Sequence, residues 1–365
     1  MSLLDVVRTE IQAGGPITAA RFIELALYHP ELGYYARAGR RSGRGGDFFT
    51  SVDVGPLFGE ILAVQIAECL DLLEVPSTLV EAGAGNARLA RDVLDALSRE
   101  RPDLYSRTQL HLSERSGCAR AEQRDVLGPH AARLTASDDD LPRGITGIIY
   151  ANELFDALPV HVVVMRRDGL REIFVAEKDG VLTETEHPPS TPELHAYLDR
   201  VGVQLHPGGR AEINLAADRW IATASRAFQR GFLILIDYGH EADALYSGSH
   251  ATGTLTTFAA HRAEDRAGAW LLDPGERDIT SHVDLTSVRL AAERAGLTTL
   301  GITDQTYFLL GLGIADRLDQ QFSRTGQAKT LLLPGGLGST HKVMIFGKAI
   351  GRPSLKGLCY RVRVT

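Results

Sequence analysis

"TLVEAGAGNARLARDVL", residues 78–94, reads as a short apolar strand, a glycine turn and the opening of a helix. Such a turn brings bare backbone close to a ligand. The turn is Glu81-Ala82-Gly83-Ala84-Gly85-Asn86, and it lacks the Lys-Ser/Thr pair that a phosphate-binding P-loop needs. A dinucleotide fold wants G-x-G-x-x-G, whereas Arg88 stands at the third glycine place. Glu81 ends the strand two residues before Gly83. A carboxylate there repels a pyrophosphate and suits a cation. S-adenosylmethionine (SAM), with its sulfonium and ammonium, meets that requirement.

A second acid supports the same ligand. Glu114 ends the next apolar strand, "QLHLSER" (109–115), where a carboxylate reads the ribose hydroxyls of a nucleoside. Enzymes of NAD use the same device, so Glu114 alone does not discriminate. The acidic run Asp138–Asp140, with Asp139 at its middle, is expected beyond the third strand near the adenine edge. Ligand-free turning and a solvated acidic loop are the bland alternatives.

Composition sets the frame. The 365 residues are 44% hydrophobic and 23% charged, ordinary for a globular chain of one or two domains. A net charge of −7 argues against a nucleic-acid surface, although "RAGRRSGRGGD" (37–47) is locally basic. Cys69, Cys118 and Cys359 are far apart and show no CxxC spacing, which argues against a disulfide framework or a zinc site built on them and suits a reducing compartment. No stretch has the apolar length of a membrane span. The N-terminus resembles neither a secretory nor a mitochondrial presequence, so a cytoplasmic location is expected.

Organisation follows from periodicity. Helices are predicted over 2–13 and 18–29, the second capped by Thr18, and over the apolar run 51–76 with Pro56 in its first turn. After residue 78, strands and helices alternate through "GITGIIYAN" and the strongly apolar "GFLILIDYGHE" (231–241), which argues for a parallel sheet with that strand central. Between those two strands, residues 160–186 alternate around Asp168–Gly169 and Asp179–Gly180, the pattern of a three-stranded meander. A helix is expected around 210–229, another with a glycine break over 303–318, and a last, antiparallel edge strand at "HKVMIFGKAI" (341–350). The tail beyond 350 fits no element.

Three blocks carry candidate chemistry. "ANELFDALPVH" (151–161) leaves a strand end with Asn152, Glu153 and Asp156, placed to face a cofactor's reactive end or to clamp a cationic substrate such as a guanidinium. Helix capping by Asn152 is the structural alternative. "DPGERDITSHVDL" (273–285) would put Asp278, Thr280, His282 and Asp284 on one face if extended, with Asp278 and His282 acting as an oriented base. Its structural alternative is Thr280 capping a helix that begins near Asp284. A metal held by His261, His282 and carboxylates is disfavoured, because no HxH or HxxxH spacing occurs. "GGDFFTSVDVGPLFGE" (45–60) sets Asp47, Thr50 and Ser51 before a helix N-terminus, where the carboxylate of SAM would be held.

Taken in order, "GPITAARFIELALYHPELGYYA", "GGDFFTSVDVGPLFGE", "VEAGAGNARLARDVL", "ANELFDALPV", "IDYGHE", "GTLTTFAAH", "PGERDITSHVDL" and "LLLPGG" resemble the blocks of the MidA-like SAM-dependent methyltransferases across roughly residues 14–347. A mitochondrial branch of that family assists respiratory complex I assembly by methylating an arginine. The resemblance implies an α/β, class I (Rossmann-like) methyltransferase with a mixed sheet, a helical N-terminal region and an inserted β-rich subdomain. Expected boundaries are 1–75 for the helical region, 76–160 with 230–350 for the SAM-binding domain, 161–229 for the insert and 351–365 for the tail. It also implies that Gly83, Gly85 and Glu114 hold the cofactor and that the DFFTS and NELFDALPV blocks line the site. Asn86–Ala87–Arg88 departs from the family's glycine motif.

The expected function is methyl transfer from SAM to a protein or peptide, with arginine nitrogen leading. Glu153 and Asp156 would position the acceptor, and His282 or Asp278 would take its proton. Alternatives are an O- or N-methyltransferase of a peptide or small metabolite, a non-catalytic assembly factor, and a dinucleotide-dependent oxidoreductase. No metal, nucleic acid or membrane partner is expected; a homodimer is allowed.

Overall fold

The computed structural model describes residues 1–36, 50–259, 262–264, 268–319, 325–333 and 337–360. The basic stretch 37–47, His261 and the end of the LLLPGG block (334–336) lie outside the described residues.

The N-terminal elements are α1 (Leu3–Gly14), β1 (Ile17–Thr18) and α2 (Ala19–Tyr28), with the Thr18 hydroxyl accepting from the Arg21 amide as the sequence predicts. The next helix begins later than its apolar run: Ser51–Val54 form a 3-10 turn, and α3 spans Leu57–Leu73 after Pro56. Apolar residues cover almost every face of α3, so it is buried on all sides.

The alternating stretch then gives β2 (Ser77–Ala82), α4 (Arg88–Glu100), α5 (Pro102–Arg107), β3 (Thr108–Ser113), α6 (Gly117–Leu127), β4 (Leu134–Asp138) and β5 (Ile145–Asn152). The insertion contributes β6 (His161–Arg166), β7 (Gly169–Lys178), β8 (Val181–His187), α7 (Glu193–Val201), β9 (Arg210–Ile213) and α8 (Leu215–Ala227). Residues 210–213 are therefore a strand where a helix start was expected; β9 pairs antiparallel with β6. The remainder is β10 (Phe228–His240), α9 (Ala242–Leu245), β11 (Thr256–Ala259), β12 (Arg262–Glu264), β13 (Asp278–Thr280), β14 (Val283–Asp284), α10 (Leu285–Arg294), β15 (Thr298–Asp304), α11 (Gln305–Gly311), α12 (Ile314–Asp319), α13 (Thr325–Leu332), α14 (Leu337–Thr340) and β16 (His341–Lys348).

The central sheet runs β15-β16-β10-β5-β2-β3-β4, with β14 beside the end of β10. β4, β3, β2, β5 and β10 are mutually parallel, and β16 lies antiparallel between β10 and β15. The last strand is thus interior, not the edge; the edge is β15, whose mixed sequence "TTLGITD" hides it from a periodicity reading. This is a mixed α/β sheet of the kind the resemblance implies. Strand order reverses between β2 and β5, so their carboxyl ends flank the crevice where open sheets bind ligands. Gly83 and Asn152 stand at those ends.

A second sheet, β1-β7-β6-β9 with β8 on β7, contains the predicted meander. Leu3, Val7 and Phe22 of α1 and α2 pack on Val162, Val164, Ile173 and Val175 of that sheet, whereas α3 packs beneath the central one. The N-terminal helices therefore divide between two cores. Burial of each such side chain is worth roughly 1.5–3 kcal/mol. The tail also has a place: the Gly357 amide donates to Gln65 Oε1 (3.1 Å) and the Lys356 amide to Glu68 Oε2 (3.0 Å), docking residues 355–358 on α3. No helix among the described residues is long and apolar enough to cross a membrane.

Close strand approach depends on Gly147 of β5, where an added Cβ would lie 1.9 Å from the Thr78 carbonyl oxygen. Gly147→Ala is expected to cost about 1–3 kcal/mol through forced backbone displacement, read as a lower urea midpoint with unchanged m-value.

Candidate active site

The glycine turn closes through backbone bonds to the neighbouring strand: Gly83 and Ala84 amides donate to the Ser113 carbonyl at 2.9 and 3.2 Å. Gly83 (φ 68°) and Gly85 (φ 51°) occupy the left-handed region, which favours glycine. A Cβ on Gly83 would meet Leu154 at 3.0 Å, while one on Gly85 would meet nothing within 4 Å, leaving bare backbone facing open space.

Glu114 buttresses the turn. Its carboxylate accepts from the Gly85 amide (2.8 Å) and the Ser116 amide (2.7 Å), and its own amide donates to the Asp138 carbonyl (2.7 Å). Asp139 follows directly on β4 and is exposed. Glu81 behaves differently. It is 4% exposed, accepts from the Tyr150 hydroxyl at 3.1 Å, and burial raises its pKa to about 8. Largely protonated at neutral pH, it cannot supply the anionic field that the sequence reading placed on it. The carboxyl group that bonds the turn's own backbone is that of Glu114.

Arg88 has a concrete role at the missing glycine place. Its guanidinium pairs with Asp53 Oδ1 at 2.5 Å, and Asp53 Oδ2 accepts from the Thr50 amide and hydroxyl, both at 3.0 Å. The α4 N-terminus is thereby tied to the Thr50–Ser51 block. The Ser51 amide in turn donates to Glu153 Oε1 (3.1 Å).

Glu153 sits one residue past β5 in the left-handed region (φ 50°). The same Oε1 accepts from Asn152 Nδ2 (3.1 Å) and lies 3.6 Å from His341 Nε2. Such a non-glycine conformation is held by surrounding contacts and is typical of functional sites. Asn152 therefore does not cap a helix, and its Oδ1 is buried without a hydrogen-bond partner among the described residues.

Asp156 follows, 7% exposed. Its Oδ2 accepts from Tyr238 OH at 2.8 Å, whereas Oδ1 is buried without a partner among the described residues. Burial, reinforced by the Glu153 charge, raises its pKa to about 7. Asp237 of β10 holds this loop: its Oδ2 accepts from the Phe155 amide (2.8 Å) and, at 3.4 Å, the Asp156 amide. Burial pushes Asp237 well above the carboxylate range too. Sequence reading missed Asp237, Tyr238 and His341; the only signal was their place at strand ends, since Tyr238 and His341 become neighbours only through the β10–β16 register.

The second constellation divides. Residues 278–280 form β13 and 283–284 form β14, so Asp278, Thr280, His282 and Asp284 do not share one extended face. Asp278 Oδ1 accepts from Tyr35 OH (3.0 Å) and the Ile279 amide (3.0 Å). Asp284 itself caps α10 through the Ser287 amide (2.9 Å), displacing Thr280 from that part. His282 Nδ1 has no hydrogen-bond partner among the described residues, so Asp278 does not orient it through that atom. What the structure joins is Asp156 to this block: the Ser281 amide donates to the Asp156 carbonyl (3.0 Å).

A glycine turn open to a ligand, a buttressing carboxylate at the next strand, and an orphaned buried amide oxygen at the third suit a nucleoside carrying a cationic amino-acid arm. The comparisons agree. A family model described as "Putative S-adenosyl-L-methionine-dependent methyltransferase" matches residues 61–303. This chain belongs to that methyltransferase family. It is an enzyme that uses SAM, and the oxidoreductase alternative falls away. The chain is 29% identical over 357 residues to a Drosophila melanogaster protein named "Protein arginine methyltransferase NDUFAF7 homolog, mitochondrial", covering 87% of this chain and 76% of the relative. Its Caenorhabditis elegans counterpart is 30% identical, with 85% and 76% covered. A crystal structure of a COG1565 superfamily member from Burkholderia thailandensis bound to S-adenosyl-homocysteine superposes with a TM-score of 0.90 at 32% identity, covering 98% of this chain and 94% of that one. The expected cytoplasmic location is corrected by these curated relatives, which are named as mitochondrial proteins.

Glu114→Gln is expected to weaken S-adenosylhomocysteine binding by about 10- to 100-fold, the worth of a hydrogen bond to a charged group, in calorimetry. Glu81→Gln should leave affinity within about threefold. A carboxyl with a folded pKa near 8 and an unfolded one near 4.5 binds more protons when folded, so it lowers stability as pH rises between those values. Glu81→Gln removes that penalty, and its gain in Tm over wild type should be larger at pH 8 than at pH 5.

Proposed function

We propose that this methyltransferase modifies an arginine nitrogen of a protein or peptide. The observation that carries the reading is the convergence of Glu153, Asp156 and Asp278 with Tyr35 and Tyr238 beside the glycine turn. Several carboxyl groups in one poorly solvated wall repel one another, and a guanidinium relieves that repulsion while using paired oxygens in a planar fork. Two relatives bear the name protein arginine methyltransferase, which supports the same acceptor.

The cofactor would be held by the Gly83–Gly85 backbone, by Glu114 and Asp139 at the nucleoside end, and by Asn152 with Thr50 and Ser51 at the amino-acid end. Bound there, SAM supplies a methyl group already activated as a sulfonium. The chain's own contribution is chiefly positioning. Glu153 is anchored by the Ser51 amide and the Asn152 amide group, which fixes one carboxylate of the clamp. Asp156 is the second, with Oδ2 engaged by Tyr238 and Oδ1 left to receive the acceptor's proton. This assigns to Asp156 the base role that sequence reading gave His282 or Asp278. Asp278 instead orients Tyr35. Residues 161–229 form the acceptor-side unit in this reading.

Binding a cation requires Asp156 ionised. For an arginine acceptor, kcat/KM should climb from pH 6 and level off above about 7, the Asp156 value in the free enzyme. Asp156→Asn is expected to lower kcat/KM by at least about 100-fold with cofactor affinity unchanged. Labelled-methyl transfer into fractionated lysate, with mass-spectrometric location of the methyl, identifies the acceptor. Methyl found only on carboxylate or hydroxyl oxygen, with Glu153→Gln fully active, would overturn the arginine reading.

A further inference from the structure

Three histidines from separate segments converge beyond the end of β10. His240 is its last residue, His282 lies between β13 and β14, and His250 follows α9 in a 3-10 turn. Ring centroids are 5.1 Å apart for His240–His250, 5.3 Å for His240–His282 and 6.0 Å for His250–His282. One ring nitrogen from each lies within 4.8 Å of the others. We propose that His240, His250 and His282 form a binding site for a divalent transition-metal ion of the zinc type, with an exchangeable fourth position.

Backbone pairing sets the triangle. β14 runs parallel to β10 with Gly239 opposite Val283, and a Cβ on Gly239 would lie 2.0 Å from the Val283 carbonyl oxygen. Only glycine lets the two strands approach and bring His240 beside His282. The His282 amide donates to Thr254 Oγ1 (3.0 Å), fixing its backbone. His250 Nδ1 donates to the Ala244 carbonyl (3.1 Å), which selects the tautomer whose Nε2 carries a free lone pair, the device that orients metal-binding imidazoles. His282 Nδ1 is buried with no partner among the described residues.

Tetrahedral zinc with ligands at about 2.0–2.1 Å needs nitrogen separations near 3.3 Å. Side-chain adjustments of about 1 Å reach that from the spacing present. Imidazole donors suit zinc, copper and nickel over magnesium or calcium. Absence of HxH or HxxxH spacing in the sequence does not count against such a site, because each ligand comes from a different element. The site lies on the same wall as the acceptor clamp: the His282 ring is 5.5 Å from Tyr238, whose hydroxyl holds Asp156.

The test uses the full chain without a histidine tag, treated with chelator and titrated with Co2+ and Zn2+. One equivalent of Co2+ should give the visible absorption of a four-coordinate site, displaced by Zn2+, with Kd at or below the micromolar range. His250→Ala, which removes a ligand outside the cofactor and acceptor residues, should weaken Zn2+ binding at least about 100-fold and leave S-adenosylhomocysteine affinity unchanged. His250→Cys, keeping a ligand, should restore binding. Failure to bind a stoichiometric ion overturns the proposal. So does binding that His250→Ala does not alter.

Discussion

The site rests on one buried carboxyl group. Asp237, near the end of the central strand β10, accepts the amides of Phe155 and Tyr238 and thereby fixes the chain that leaves β5. Without it the buried Phe155 amide would lose that partner, which costs free energy comparable to a lost hydrogen bond. With it, Glu153 is turned into the left-handed region and Asp156 is pressed into the interior beside Tyr238. Burial of both aspartates raises their pKa values, which on the proposed reading leaves charge in reserve for a cationic acceptor.

In the proposed assignment, that arrangement separates two electrostatic tasks. On the cofactor side, Glu114 spends both carboxylate oxygens on backbone amides and so stiffens the turn. Glu81, directly below, is too buried for the same part and serves as a hydrogen-bond acceptor for Tyr150. On the other side, the charges of Glu153 and Asp278 lie close enough to add to the burial that raises the Asp156 pKa. The Arg88–Asp53 pair links the two sides, because Asp53 also shapes the Thr50–Ser51 turn whose amide holds Glu153.

Departures from a family pattern are informative in this light. Arg88 at a glycine place is not a defect of the turn. Ala87 absorbs the left-handed conformation (φ 70°), and Arg88 gains an ion pair across the crevice. The unassigned tail likewise acquires a purpose, since Gln65 and Glu68 on α3 find partners in Gly357 and Lys356.

The strand–turn–helix at 78–94, the meander at 160–186 and the central strand at 231–241 were legible from residue order, because their signals are local: periodicity, glycine conformation and turn dipeptides. So were Gly83, Gly85, Glu114, Glu153 and Asp156 as residues of interest, since strand ends in an open sheet face the crevice. Only the tertiary structure decided which acids are charged, that β16 inserts between β10 and β15, that Asp284 caps a helix, and that three distant histidines meet. Burial and cross-strand register govern those outcomes, and both arise from contacts between segments far apart in the chain.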